Sequence, residues 1–322
     1  MKKLSISRRQ ALAMTAALPL VSSCNRNTKK RIGVVPKGRA HMFWQSVHAG
    51  ANKAARETGV DIEWNGPASE TDFNGQLQIV EAMINKRLDA IALAPIDKKA
   101  MVSVVERATK QNIPVIIFDS SVDTDQFVAQ VATDNYKAGQ MAAERMGEIT
   151  GRKGKVAIVA VQVGAASTMA REQGFEDTVK SKFPGLQILD KRYGEASVER
   201  SLTVAENMLT AFPDLNAMFA SNESSTVGAA RALKARGSKV KLVGFDSGPS
   251  LEEDLKNGII DSLVVQDPFN MGYRSVTLAV KKLSGDTPEK IQNLEPHLVT
   301  KADLGKPEIQ ALLNPDLKKY LD

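Results

Sequence analysis

At 322 residues the chain exceeds the roughly 100 to 200 residues of a usual single domain, which points to two lobes with separate cores or to one large barrel. With 43% hydrophobic and 25% charged residues it has the composition of an ordinary globular protein, which excludes disordered and fibrous classes. The net charge of +6 suggests an acidic partner, but Lys2, Lys3, Arg8 and Arg9 crowd the first nine residues; without them about +2 remains and no basic stripe is left to attract nucleic acid.

Met1 to Arg9 form a basic stretch ahead of an apolar run from Ala11 to Val21, too short to cross a bilayer as a stable helix. Residues 1–23 therefore read as a cleavable export signal, and Ser7-Arg8-Arg9-Gln10 looks like a twin-arginine element. The run ends at Val21-Ser22-Ser23-Cys24, which resembles a bacterial lipobox, with Cys24 as the lipid attachment site and residues 24–30 as a tether. This predicts a lipoprotein on the periplasmic or extracytoplasmic face of the cell membrane, held there by its lipid alone. A single cysteine forms no internal disulfide, so the core alone must hold the fold.

Past the tether, short β-branched runs alternate with longer helix-period stretches, the pattern of βαβ units on a parallel sheet. Strands are predicted at 31–36, 61–64, 90–94 and 115–118, separated by amphipathic helices at 43–58, 74–86 and 99–111. A second series follows 133–135, with strands near 155–161, 186–193, 217–220, 240–244 and 262–265 and helices at 138–149, 169–183, 198–212 and 227–236. The halves echo each other, so the expected class is α/β with two doubly wound parallel-sheet lobes. The tail at 302–322, with Pro307 and Pro315, reads as a short helical extension laid on a lobe.

In open parallel sheets, ligands bind outside the carboxyl ends of the strands, so residues just past each strand are the candidate contacts. Lys37, His41, Phe43 and Trp44 follow the first strand and Asp119 the fourth; Asn222 and Glu223 follow 217–220, and Phe245 and Asp246 follow Val243. Arg171 and Gln266 complete the set. Taken singly, an Asn or Asp there caps the next helix, and an aromatic fills a core, about as often as either binds. His41 has no second His or Cys at ligand spacing, which argues against a metal, and His48 and His297 read as surface or packing residues.

The order of short motifs is more specific than any one of them. Phe43-Trp44 precede Gly50-Ala51, IPVIIFD spans 113–119, Thr133-Asp134-Asn135 precede Gly139, and REQGF spans 171–175. Pro213-Asp214 lead to FASNE at 219–223, followed by Gly228-Ala229, VGFD at 243–246 and QDP at 266–268 before Gly272. From Arg31 to about Lys301 the chain resembles the ribose-type periplasmic sugar-binding proteins of ABC importers, which have the type 1 periplasmic binding fold. The resemblance implies one lobe of 31–134 with 267–295 and another of 135–266 with 296–322, joined by a three-crossing hinge near 133–135, 266–268 and 294–296. It further implies a monomer that closes on a monosaccharide and delivers it to an ABC permease, without catalysis or cofactor. The alternative is a receptor for a sugar-like signal or polyol in chemotaxis or sensing.

In that family, aromatics at the Phe43 and Trp44 positions stack on the C–H face of the sugar and the Phe245 position closes the other side. Carboxylates at Asp119 and Asp246 accept from hydroxyl pairs, Arg171 donates to ring or anomeric oxygens, and Asn222 and Gln266 meet further hydroxyls; His41 adds a hydrogen bond as neutral imidazole. Ala94, Ser120 and Ala196 stand where ribose binders carry an Asn, an Arg and an aromatic, which argues against a ribose receptor. Pro36-Lys37 and Asn65-Gly66-Pro67 before Gln76 instead resemble the rhamnose and autoinducer-2 branch, from which Arg171 and Asn222-Glu223 depart. A lactose-repressor-type regulator needs a helix-turn-helix ahead of the first strand and no export signal. No G-x-G-x-x-G after the first strand, no P-loop and no G-x-S-x-G supports an enzyme.

Overall fold

A computed structural model describes residues 29–321; the export signal, the lipobox and Cys24 lie outside the described residues. The first half runs β1 (Arg31–Val35), α1 (Met42–Thr58), β2 (Asp61–Trp64), α2 (Phe73–Asn85), β3 (Ala90–Leu93), α3 (Val102–Lys110), β4 (Val115–Phe118) and β5 (Ala129–Thr133). The second runs α4 (Asn135–Ile149), β6 (Lys153–Ala160), α5 (Ala166–Lys182), β7 (Gly185–Tyr193), α6 (Val198–Ala211), β8 (Ala217–Ala220), α7 (Glu223–Arg236), β9 (Lys241–Phe245), α8 (Pro249–Lys256) and β10 (Ser262–Val265). Then α9 (Pro268–Leu283) and β11 (Ile291–Leu294) return to the first sheet, β12 (His297–Thr300) joins the second, and α10 (Pro307–Leu313) and α11 (Lys318–Leu321) follow.

The two sheets have the orders β11-β5-β4-β3-β1-β2 and β12-β10-β9-β8-β6-β7, one doubly wound plan used twice. Every pairing is parallel except that of β10 with β12. Helices cover both faces, which is why β3 (AIAL), β4 (VIIF) and β8 (AMFA) are continuous apolar runs, buried throughout. Each sheet carries one apolar cluster per face. The strands missing from the sequence reading are those with the weakest pattern, since β5 (AQVAT), β11 (IQNL) and β12 (HLVT) mix polar residues into short strands; the helices α8 and α9 were missed as well, although α9 is amphipathic and capped by Asp267.

The chain passes between the sheets three times, from β5 to α4, from β10 to α9 and from β11 to β12. The crossings are tied together: Thr133 Oγ1 donates to Gln266 Oε1 at 2.7 Å, and the Asp134 amide to the Leu294 carbonyl at 3.0 Å. Glycines let the helices beside the cleft approach closely. A Cβ at Gly50 of α1 would strike the Phe269 carbonyl of α9, and one at Gly139 of α4 the Arg171 carbonyl of α5.

The tail differs from the expectation. Leu313 of α10 packs into the second-sheet core beside Leu304, with Ile309 and Leu312 against it. Past Pro315 the chain crosses to the other lobe, where α11 lies on α1: Asn52 Nδ2 donates to the Tyr320 carbonyl at 2.7 Å and Arg56 to the Lys319 carbonyl at 2.6 Å. The Tyr320 ring meets Phe269 at 5.7 Å. The tail therefore straps both lobes rather than lying on one.

Candidate functional site

Asp119 and Asp246 occupy equivalent places, immediately past β4 and β9, and both have left-handed backbones, with φ of 60° and 69°. Asp tolerates this region better than most residues, and strain of this kind concentrates at binding sites. Each backbone is pinned by the neighbouring strand, through Asp119 N to Val131 O at 3.0 Å and Asp246 N to Val264 O at 2.9 Å. Buried Gln76 of α2 supports the first lobe's rim: its amide donates to the carbonyls of Pro36 and Ala94, and its Oε1 accepts from the Ile96 amide.

Lys37, past β1, is buried with Nζ 2.6 Å from Asp119 Oδ2, a charge contact rather than an aligned hydrogen bond. It also donates to Ser167 Oγ in the opposite lobe at 2.9 Å. On α5, buried Arg171 donates through Nε to Asn135 Oδ1 at 2.8 Å and through Nη1 to the Ser221 carbonyl at 2.9 Å, leaving Nη2 without a hydrogen-bond partner among the described residues. Burial lowers the Arg171 pKa from its ordinary value, while Asp246, Asp119 and Glu172 oppose the shift. Asp246 is buried too, which raises its carboxyl above the usual range against the pull of Arg171 and Gln266; it accepts from Gln266 Nε2 at 2.7 Å and the Glu223 amide at 2.8 Å. Asn222 is indeed the cap of α7, its Oδ1 accepting from the Ser225 amide, which leaves its Nδ2 donors for the cleft.

These side chains converge on one cleft between the lobes, lined by Lys37, His41, Phe43, Trp44, Asp119, Arg171, Asn222, Asp246 and Gln266. Phe245 is the exception. As the last residue of β9 it alternates inward, is 0% exposed in the core, and lies under the Arg171 guanidinium at 3.9 Å, so it braces that arginine rather than facing the cleft. The cleft also contains Glu223, noted past 217–220 but given no ligand role, and Glu70, Ser167 and Thr168, which the sequence reading did not assign. Glu70 follows β2 and Glu223 opens α7, so the strand-end rule carried the signal for both; Ser167 and Thr168 sit past β6 by the same rule.

His41 is not the neutral imidazole expected. Its Nδ1 lies 2.8 Å from Glu70 Oε1, and although burial opposes the charge, Glu70, then Glu223 and Asp246, raise its pKa to about 9. Burial likewise opposes ionisation of Glu70, but His41 and Lys37 outweigh it and hold its carboxyl below the usual value. Glu223 is raised to about 7 by burial, against the pull of His41 and the amides it receives. Those amides belong to Met42 and Phe43, at 3.2 and 3.1 Å; α1 has no side-chain cap of its own, so a carboxylate from the opposite lobe caps it. Together with Gln162 Nε2 to the Glu70 carbonyl and Ser167 N to Ser120 Oγ, these bonds make the arrangement a closed one. Among the described residues no group of three or more His, Cys, Asp or Glu is placed to hold a metal ion.

Comparison with known proteins agrees with this architecture. A family model described as "Periplasmic binding protein domain" matches residues 32–287. The D-ribose/D-allose-binding protein of Pseudomonas aeruginosa is 32% identical over 86% of this chain and 90% of its own length. Among solved structures, a carbohydrate transporter solute-binding protein from Agrobacterium radiobacter in complex with D-arabinose superposes with a TM-score of 0.86 at 35% identity, covering 89% of this chain and 99% of its own. An ABC transporter solute-binding protein from Agrobacterium vitis with bound D-fucose gives 0.86 and 35%, covering 88% and 99%. The chain belongs to the periplasmic binding protein family, a family of solute-binding proteins and not of enzymes.

Proposed function

We propose that this chain captures a monosaccharide in the cleft by hinge closure and hands it, outside the cytoplasm, to the permease of an ABC importer. The observation that carries this reading is that Lys37 and Asp119 from one sheet and Arg171, Asn222 and Asp246 from the other face a single cleft floored by Phe43 and Trp44. A sugar offers an apolar C–H face to the aromatics and a rim of hydroxyls to charged groups that donate or accept. Charge-assisted bonds contribute about 1.5 to 3 kcal/mol each, so four or five, less ordering costs, approach the roughly 8 kcal/mol of micromolar binding. Related proteins with D-ribose, D-allose, D-arabinose and D-fucose in their descriptions support the ligand class. Residues 31–134 with 267–295 and 135–266 with 296–314 are the bodies that move, with α11 at the end of the tail resting on the first of them. The protein acts as a monomer.

Hinge closure follows from differential binding: a ligand bridging both lobes stabilises only the state in which both reach it. A thermal-shift screen of the mature domain against pentoses, hexoses, deoxy sugars and polyols tests the reading, since bound ligand raises apparent stability by mass action. At least one monosaccharide shifts the melting temperature; a screen in which none does refutes the assignment. Cys24 is the proposed lipid attachment, and Cys24→Ala then moves the protein from the membrane fraction to the soluble one.

A further inference from the structure

Glu70 makes more contacts in the cleft than its place in a loop requires. Its Oε1 accepts from Trp44 Nε1 at 2.7 Å and meets His41 Nδ1 at 2.8 Å, while its backbone carbonyl accepts from Gln162 Nε2 of the opposite lobe at 2.8 Å. The carboxylate side chain is only 12% exposed. We propose that Glu70 is a positioning residue for ligand capture: it fixes the Trp44 indole and the His41 ring together and makes His41 a pure donor toward the ligand. The proposal rests on the reading that the cleft takes a sugar.

Because Nδ1 faces Glu70, only Nε2 of His41 remains for a ligand. A neutral ring donating through Nδ1 would offer Nε2 as an acceptor, whereas the imidazolium offers an N–H and reads ligand oxygens as acceptors. Glu70 decides between these, because it is the acid in direct contact with the ring; Glu223 on α7 and Asp246 past β9 are the other acids facing it, and Lys37 also faces Glu70. Trp44 sits in the core with Phe43 edge-on at 4.8 Å, so a fixed indole also sets the aromatic floor.

Glu70→Gln keeps the shape and an oxygen for Trp44 but removes the charge. Histidine NMR titration of the ligand-free protein reads the lock directly; with three histidines in the chain, His48→Gln and His297→Gln assign the His41 signal. The native ring should titrate above the ordinary histidine value through its contact with Glu70 in the same lobe, and in Glu70→Gln its proton affinity should fall about tenfold or more. In parallel, D-ribose, D-allose, D-arabinose and D-fucose are titrated calorimetrically into both proteins between pH 6 and 9. The variant should lose about tenfold in affinity at pH 8 and less at pH 6, where His41 regains its proton, relative to a native protein whose own slope comes from Glu223 and, toward pH 9, from His41 itself. A native His41 that titrates near 6.5, or one unmoved by Glu70→Gln, overturns the proposal. So does a uniform affinity loss with no pH dependence. If the NMR shift occurs but none of the four sugars binds, the lock stands and the sugar reading falls.

Discussion

Lys37 and Asp119 form the most buried ion pair of the cleft, each side chain 4% exposed. Removing one partner leaves the other charge uncompensated, at a cost of about 3 to 5 kcal/mol, whereas replacing both with apolar residues restores much of it. Denaturant unfolding of Lys37→Met, Asp119→Ala and the double variant should therefore show strong positive coupling, and additive losses would mean the pair is solvated. The raised groups set the pH dependence. His41 is raised from 6.5 to about 9, so its contribution is fully present below pH 6.5 and lost as pH rises through 9. That rise corresponds to about 3 kcal/mol. Glu223 is raised from 4.5 to about 7, so the folded protein also holds that proton more tightly, and the corresponding stability declines between pH 4.5 and 7. Melting temperature should fall from pH 5 to pH 9, and His41→Ala should flatten the alkaline part of the slope; an unchanged slope contradicts the assignment.

Among the elements, α1 carries the cleft's aromatics and is held by its crossing with α9, where the Gly50 Cα meets the Phe269 carbonyl. Gly50→Ala must push the helices apart, with an expected loss of about 1 to 3 kcal/mol in denaturant unfolding and a displaced Phe43. Gly59, the left-handed C-cap of the same helix at φ 71°, has no atom near its missing Cβ, so Gly59→Ala costs about 1 kcal/mol through backbone strain alone and leaves binding intact. The core strands were legible because burial on both faces enforces an apolar run; β11 and β12 were not, because edge strands need no such run, and interior β5 was missed because Gln130 interrupts its apolar pattern. Lys37, Asp119 and Asp246 were legible from the strand-end rule, and Arg171, inside α5, from the resemblance that REQGF carries. Phe245 was misread because one residue decides whether a strand-end side chain faces the core or the cleft. The charge of His41 was out of reach, since it depends on Glu70 brought in from 29 residues away.

At the scale of the whole molecule, three hinge crossings are supplemented by a tail that packs α10 on one lobe and α11 on the other. Between them, Leu313, Asn314, Pro315 and Leu317 wall a hollow of about 130 Å³ that shares Phe43, Asp246 and Gln266 with the cleft. Deleting residues 315–322 should release α1 from the strap, enlarge the radius of gyration of the ligand-free protein in X-ray scattering and weaken ligand binding; an unchanged radius would show that the tail restrains nothing. The central claim is that charged side chains from both lobes grip one sugar, and calorimetric titration of the native domain, Asp119→Asn and Asp246→Asn with D-ribose, D-allose, D-arabinose and D-fucose tests it most directly. The account predicts one-to-one binding of at least one of these sugars near micromolar affinity, weakened about tenfold by either substitution as a charge-assisted bond becomes a neutral one. Binding that survives both substitutions unchanged, or no binding of any of the four, would contradict it.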